Sequence, residues 1–141
     1  MPAASPPLTT LPAVTAYGVL SRGLLTGSQP REGNAIRARL PRFTGTNYEQ
    51  NRQLVGALAR LAAEKGATPA QLAIAWVLSR GSDIVPVIGA RTRAQLADSL
   101  GALDLTLSAG DIARLEEICD AARVAGTRYD AAQMNMLDSE R

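Results

Sequence analysis

The stretch SDIVPVIGARTRAQLADSL, residues 82–100, contains the clearest fold signal in the chain. Its residues predict a buried strand over 84–88, a turn at Gly89 and Ala90, and a helix that begins near Thr92. A strand that runs through a glycine turn directly into a helix is typical of α/β proteins. The sequence therefore predicts an α/β fold.

The same turn is a candidate anion site. Backbone N–H groups and the positive end of the helix dipole meet where such a helix begins, and this arrangement suits a phosphate. Arg91 and Arg93 flank the turn, and a guanidinium group can bind a phosphate through two parallel hydrogen bonds. An ordinary strand-to-helix turn with solvated arginines explains the same residues, so both interpretations stay open.

The composition narrows the possible functions. The 141 residues have the size of one domain, and 15 basic against 13 acidic residues favour neither nucleic acid nor a membrane surface as partner. The chain has no histidine, the commonest general base and metal ligand. The single cysteine, Cys119, is expected to be a buried, inert thiol. No apolar run reaches transmembrane length and the first residues lack signal-peptide features, so a cytoplasmic location is expected.

The remaining segments predict one more strand and three more helices. Residues 1–12 are rich in proline and predict a flexible lead-in, and residues 13–20 predict a strand. Residues 27–46 predict a long basic loop, which either folds over a ligand or is solvated. Thr46 and Glu49 have the spacing of a capping box for a helix that ends at Gly66, and Thr68 and Ser108 mark two further helix starts.

Helical spacing predicts which side chains face the core. They are Leu54, Val55, Leu58, Leu61 and Ala62 in the first helix, Trp76 in the second, Leu96 and Leu100 in the third, and Ile112, Leu115, Ile118 and Cys119 in the last. The second helix is apolar nearly all round, so burial on more than one side is expected. Residues 126–141 lose this periodicity and are expected to pack loosely.

Three segments in this order resemble the aldo-keto reductases. AYGVLSRGLLTG at 16–27 is similar to the family's AYSPLGRGLLTG segment. PRFTGTNYEQNRQLVGALARLAAEKGATPAQLAIAWVLSRG at 41–81 resembles the loop and paired helices that follow it, and IVPVIGARTRAQLADSLGALDLTLSAGDIARLEEI at 84–118 resembles the last barrel strand, cofactor turn and closing helices. The resemblance covers roughly residues 11–129.

Members of this family are (β/α)8 barrels that bind NADPH at the carboxyl face of the barrel and reduce carbonyls. The resemblance implies that residues 13–125 are the C-terminal part of such a barrel, from its penultimate strand onward. This part would be mostly helical, with about two short parallel strands and an incomplete barrel.

The resemblance also implies a set of cofactor-binding residues. Tyr17 would lie against the nicotinamide, Gly18, Leu20 and Arg22 along the pyrophosphate, and Gly89, Ala90 and Arg91 around the ribose and its 2′-phosphate, with Gln95 assisting and Asp98 and Ser99 near the adenine. Gly18, Val19, Ala90 and Ser99 depart from the usual residues of the family, which removes some hydrogen-bond donors and rigidity.

The family's catalytic Asp, Tyr, Lys and His have no counterpart in these residues. Lys65 is explained by its position at a helix end, where a cation is favourable, and Tyr48 and Tyr129 match no catalytic motif. The resemblance thus implies the cofactor-holding part of an NADPH-dependent reductase of aldehydes or ketones, inactive alone. The alternatives are a non-catalytic helical module that self-associates through exposed apolar surface, and a residual NADPH binder.

Overall fold

The computed structural model describes residues 13–26, 37–120 and 123–137, which contain two strands and five α-helices. In chain order these are β1 (Val14–Ala16), α1 (Gly45–Glu64), α2 (Pro69–Ser79), β2 (Ile84–Pro86), α3 (Arg93–Leu100), α4 (Ala109–Ile118) and α5 (Ala131–Met134). The predicted lead-in and the first part of the predicted basic loop lie outside the described residues. No helix in the described ranges is long and apolar enough to cross a membrane.

The two strands pair in parallel, with Val14 opposite Ile84 and Ala16 opposite Pro86. Parallel strands need a long crossover connection, and here the connection contains α1 and α2. β1 is shorter than predicted because Gly18 takes a positive φ of 72°, which turns the chain away from the strand direction. The structure confirms a mostly helical α/β arrangement with two parallel strands.

Three of the four predicted helix starts are confirmed. Thr68 with Gln71, Thr92 with Gln95, and Ser108 with Asp111 form the capping boxes of α2, α3 and α4. The predicted capping box of the first helix is wrong. That helix begins at Gly45, so Thr46 and Glu49 already lie inside it, and the side chain of its cap residue, Thr44, accepts no hydrogen bond from the helix.

The end of α1 confirms the prediction at Gly66. Gly66 has a φ of 64°, its N–H donates to Ala63, and the N–H of Ala67 donates to Ala62. This pair of bonds satisfies carbonyl groups that the helix end leaves without partners. The preceding residue, Lys65, forms an ion pair with Asp111 and so links α1 to α4.

The core lies between α1, α2 and α4. Leu58, Leu61 and Ala62 of α1 pack with Leu72 of α2 and Leu115 of α4, and all are nearly inaccessible to water. As predicted, α2 is buried on more than one side, with buried residues at Ala70, Leu72, Ile74, Ala75 and Val77. Trp76 is only partly buried and packs against this core.

Several predicted buried residues are exposed instead. The strand over 84–88 is not buried, since Val85 and Val87 are 51% and 53% exposed, and Leu96 and Leu100 of α3 are exposed to the same degree. In the described part of the chain, no element covers this face of the sheet or of α3. The apolar pattern predicted burial, but burial needs a neighbouring element that is absent there.

Cys119 is also exposed rather than buried. α4 ends at Ile118, and Cys119 is its C-cap with ψ near 18°, so the residue leaves the helical stripe on which the prediction placed it. Neighbouring protein atoms still desolvate the thiol, which raises the pKa of Cys119. A raised pKa favours the protonated thiol at neutral pH, and the prediction of an inert thiol is not tested further by the structure.

Candidate functional site

A cavity of about 690 Å³ lies between the turn after β1, the carboxyl end of β2 and the N-terminal end of α3. Its volume is within the range of small-molecule and cofactor sites. The lining residues are Gly18, Val19, Leu20, Arg22, Gly23, Thr26, Arg37, Ala70, Val87, Ile88, Gly89, Arg91, Ala94, Gln95, Asp98 and Ser99. Every residue of the predicted cofactor set lies on this lining except Tyr17 and Ala90.

The turn after β1 has an unusual backbone. Ser21 and Arg22 take φ values of 47° and 55°, in the left-handed region that residues with a side chain seldom adopt. The turn is closed by hydrogen bonds from the Ser21 N–H to Gly18 (2.8 Å) and from the Gly23 N–H to Leu20 (2.9 Å). Strained conformations of this kind cluster at ligand-binding sites, where the surrounding structure enforces them.

Some of the backbone N–H groups at the start of α3 are already hydrogen-bonded within the protein. The Gln95 side-chain oxygen accepts hydrogen bonds from the backbone N–H of Arg91 (2.8 Å) and of Thr92 (3.3 Å), so the amide of Arg91 is already bonded. The first two residues inside the helix, Arg93 and Ala94, have no acceptor within it. The N–H groups of Arg93 and Ala94 are therefore the ones that the helix itself leaves available to an anion at the start of α3.

Asp98 and Ser99 are held in place by the protein. The Asp98 carboxylate accepts from the Thr68 hydroxyl (3.3 Å), and its carbonyl accepts from the Gln71 side chain (2.8 Å). The Ser99 hydroxyl donates to the Gln95 carbonyl (2.9 Å). α2 thereby fixes the wall of the cavity that α3 provides.

Arg37 lines the cavity but was not among the predicted site residues. Its guanidinium lies 5.1 Å from the centre of the Phe43 ring, and Phe43 is buried. The basic composition of residues 27–46 was the signal for it, since a basic loop of this length was expected either to fold over a ligand or to be solvated. The apolar lining residues Val87 and Ile88 carried no signal beyond their place at the end of a strand.

Tyr17 lies on a different cavity, of about 610 Å³, whose lining also includes Trp76, Leu115 and Cys119. Gly18 and Val19 line both cavities. Tyr17 is 69% exposed, and Ala90 is exposed without lining either of these cavities. The structure thus brings eight of the ten predicted residues to one cavity and leaves Tyr17 and Ala90 outside it.

Comparison with known proteins identifies relatives of the chain. The model of the aldo/keto reductase family matches residues 12–120. Aldo-keto reductase yakc of Schizosaccharomyces pombe, whose name carries NADP(+), is 36% identical over 121 residues, which cover 82% of this chain and 35% of that protein. Probable aldo-keto reductase 1 of Glycine max is 36% identical over 119 residues, covering 82% of this chain and 34% of the relative.

A third relative, aldo-keto reductase str7 of Strobilurus tenacellus, is 27% identical over 130 residues, which cover 89% of this chain and 39% of that protein. The chain thus spans little more than a third of the length of the curated relatives it matches. The family model covers most of the chain, and the two parallel strands and surrounding helices agree with part of a (β/α)8 fold. The chain therefore belongs to the aldo/keto reductase family.

Proposed function

We propose that this chain is the cofactor-binding part of an NADPH-dependent aldo-keto reductase that reduces aldehydes or ketones. The observation that supports it most is the 690 Å³ cavity, whose lining gathers every predicted cofactor residue except Tyr17 and Ala90. These residues come from two segments far apart in sequence. One of the relatives carries NADP(+) in its name.

The charges of the cavity suit a phosphorylated dinucleotide. Arg22 and Arg91 lie on separate segments of the lining, one on the turn after β1 and one before α3. Two separate cations match the two phosphate-bearing parts of NADPH, the pyrophosphate and the 2′-phosphate. The N–H group of Ala94, at the positive end of α3, adds to this preference for an anion.

The affinity of Arg91 variants for two cofactors tests this proposal. Arg91→Ala is expected to weaken NADPH binding about tenfold in calorimetric titration and to leave NADH binding nearly unchanged, because NADH lacks the 2′-phosphate. Arg93→Ala is the matched control, since Arg93 is exposed and does not line the cavity. Equal losses of affinity for both cofactors, or equal effects of the Arg91 and Arg93 variants, would show that Arg91 does not bind the 2′-phosphate.

Turnover is expected to need residues beyond those of this chain. Bound NADPH would supply the hydride, and a protonated side chain must supply the proton to the carbonyl oxygen. Lys65 is paired with Asp111, and the chain has no histidine. The purified chain should therefore not consume NADPH with an aromatic aldehyde, and consumption at an enzymatic rate would contradict this part of the proposal.

A second candidate function is self-association without catalysis. Val14, Val85, Val87, Leu96, Leu100 and Leu103 are all more than half exposed. A parallel sheet is normally covered on both faces, so these side chains favour a second polypeptide as cover. Sedimentation velocity of the chain and of Val85→Lys tests this. A concentration-dependent dimer that the substitution abolishes supports the second function, and a monomer at all concentrations contradicts it.

We propose that the enzyme is cytoplasmic, as expected from a sequence in which no apolar run reaches transmembrane length.

A further inference from the structure

The segment after α4 is anchored to α1 by polar contacts. Asn51 is 1% exposed and donates to the carbonyl groups of Arg42 (3.1 Å) and Ala125 (2.8 Å), while its oxygen accepts from the Ala125 N–H (2.9 Å). The Arg42 side chain donates to the Gly126 carbonyl (3.2 Å). These bonds fix the direction in which the chain continues toward Tyr129.

Gly126 is required at its position. Its φ is 82°, and a Cβ there would come within 2.9 Å of the Pro41 backbone and 3.0 Å of the Asn47 side chain. Any other residue would thus be strained and would push the segment away from α1. Beyond Gly126, the Thr127 hydroxyl donates to the Tyr129 carbonyl (2.8 Å) and shapes the turn that carries this tyrosine.

Tyr129 contacts the strained turn at the cavity. The Arg22 guanidinium lies 4.9 Å from the centre of the Tyr129 ring, a distance typical of a cation–π contact. A hydrogen bond from the Arg22 side chain is the main cause that lowers the pKa of Tyr129, with a smaller contribution from the Tyr17 hydroxyl. One side chain from the C-terminal segment therefore holds the arginine that lines the cavity.

We propose that Tyr129 is a positioning residue that holds the Arg22 guanidinium at the cavity edge for the pyrophosphate of the dinucleotide. This inference rests on the proposed function. Arg22 is exposed, and without Tyr129 its side chain would sample many rotamers. A guanidinium that Tyr129 already holds loses less conformational entropy on binding an anion than a freely moving one does. A guanidinium has five N–H donors in a fixed plane, and contact with one ring and one hydroxyl leaves others for a phosphate.

The test compares two ligands with variants of Tyr129. Tyr129→Ala is expected to weaken NADPH binding five- to tenfold and to leave the binding of adenosine 2′-monophosphate, which lacks the pyrophosphate, unchanged. Tyr129→Phe keeps the ring over the guanidinium and should lose less than threefold. In the Arg22→Ala background, Tyr129→Ala should have no further effect on NADPH binding, because the group that it positions is absent.

Gly126→Ala provides an independent route to the same prediction. This substitution moves the segment that carries Tyr129 but leaves both the Tyr129 and the Arg22 side chains in the sequence. It should therefore reproduce the selective loss of NADPH affinity. Unchanged binding of adenosine 2′-monophosphate shows that each variant is folded.

The inference is overturned if Tyr129→Ala binds NADPH as the wild type does or more tightly, if both ligands lose affinity equally, or if the losses add in the double variant. A wild-type chain that binds neither ligand contradicts the proposed function as well. A wild-type chain that binds both, with no effect of Tyr129→Ala, contradicts only the role of Tyr129.

Discussion

At the residue scale, Asn51 connects two segments that are far apart in sequence. It stands on the apolar stripe of α1, at helical spacing from Leu54 and Leu58, and it is as buried as the leucines of the core. A polar residue on such a stripe is a signal that the sequence does contain. Its partners, the backbone groups of Arg42 and Ala125, could not be predicted, because they depend on how the C-terminal segment folds back.

Asn51→Ala should lower the free energy of unfolding by about 3 kcal/mol, because it leaves partly buried carbonyl and N–H groups of Arg42 and Ala125 without this partner. Urea denaturation monitored by circular dichroism measures this. Gln50→Ala is the control, since its exposed side chain donates only to the Arg123 carbonyl (2.9 Å) and its loss should cost no more than about 0.5 kcal/mol. Similar costs for the two variants would contradict the anchoring role of Asn51.

Asp111 predicts an acid dependence of stability. The hydrogen bond from Lys65, and then those from the Ser108 backbone and hydroxyl, lower the pKa of Asp111 from 3.8 to about 2. Because the pKa is lower in the folded state than in the unfolded state, the carboxylate contributes stability above about pH 4. That contribution is lost as the pH falls from about 4 toward 2.

Asp111→Asn should therefore unfold more easily at pH 7 and lose less additional stability between pH 5 and pH 2 than the wild type. Lys65→Met should show a smaller change in the same direction, since it removes the first cause of the lowered pKa. Thermal unfolding measured across this pH range gives the comparison. Parallel curves for wild type and Asp111→Asn would show that Asp111 does not contribute to the acid transition.

At the scale of single elements, local signals predicted helix starts well where a side chain completes the cap. The boxes at Thr68, Thr92 and Ser108 need only residues within one turn, so the sequence contains everything required. The start of α1 was mispredicted because Gly45, with φ at 53°, turns the chain before Thr46. The burial of β2 and α3 was mispredicted because it depends on which other helices and strands pack against them.

The two threonines give a direct test of this difference. Thr68→Ala should cost about 1–2 kcal/mol in the free energy of unfolding, because it removes the cap of α2 and the contact with Asp98. Thr46→Ala should change stability by less than about 0.5 kcal/mol, because Thr46 is exposed inside α1. If the Thr46 variant were the less stable of the two, the start of α1 would have to be revised.

At the scale of the whole molecule, the sequence predicted which residues line the candidate cavity better than it predicted their geometry. Gly18, Arg22, Gly89 and Arg91 do line one cavity, and family resemblance was sufficient for that. Tyr17 lies on the second cavity, and residue type could not reveal this because it depends on the whole arrangement of helices around β1. The contact between Tyr129 and Arg22 could not be predicted from local sequence either, since more than a hundred residues separate the two.

We propose above all that the cavity at the carboxyl end of β2 binds NADPH through its phosphates. Titrating NADPH into the isotopically labelled chain and following backbone amide resonances tests it most directly. We expect saturable shifts at residues 18–23 and 87–99, with Ala94 among the largest. Shifts confined to the cavity beside Trp76, or no shifts at millimolar NADPH, would contradict it.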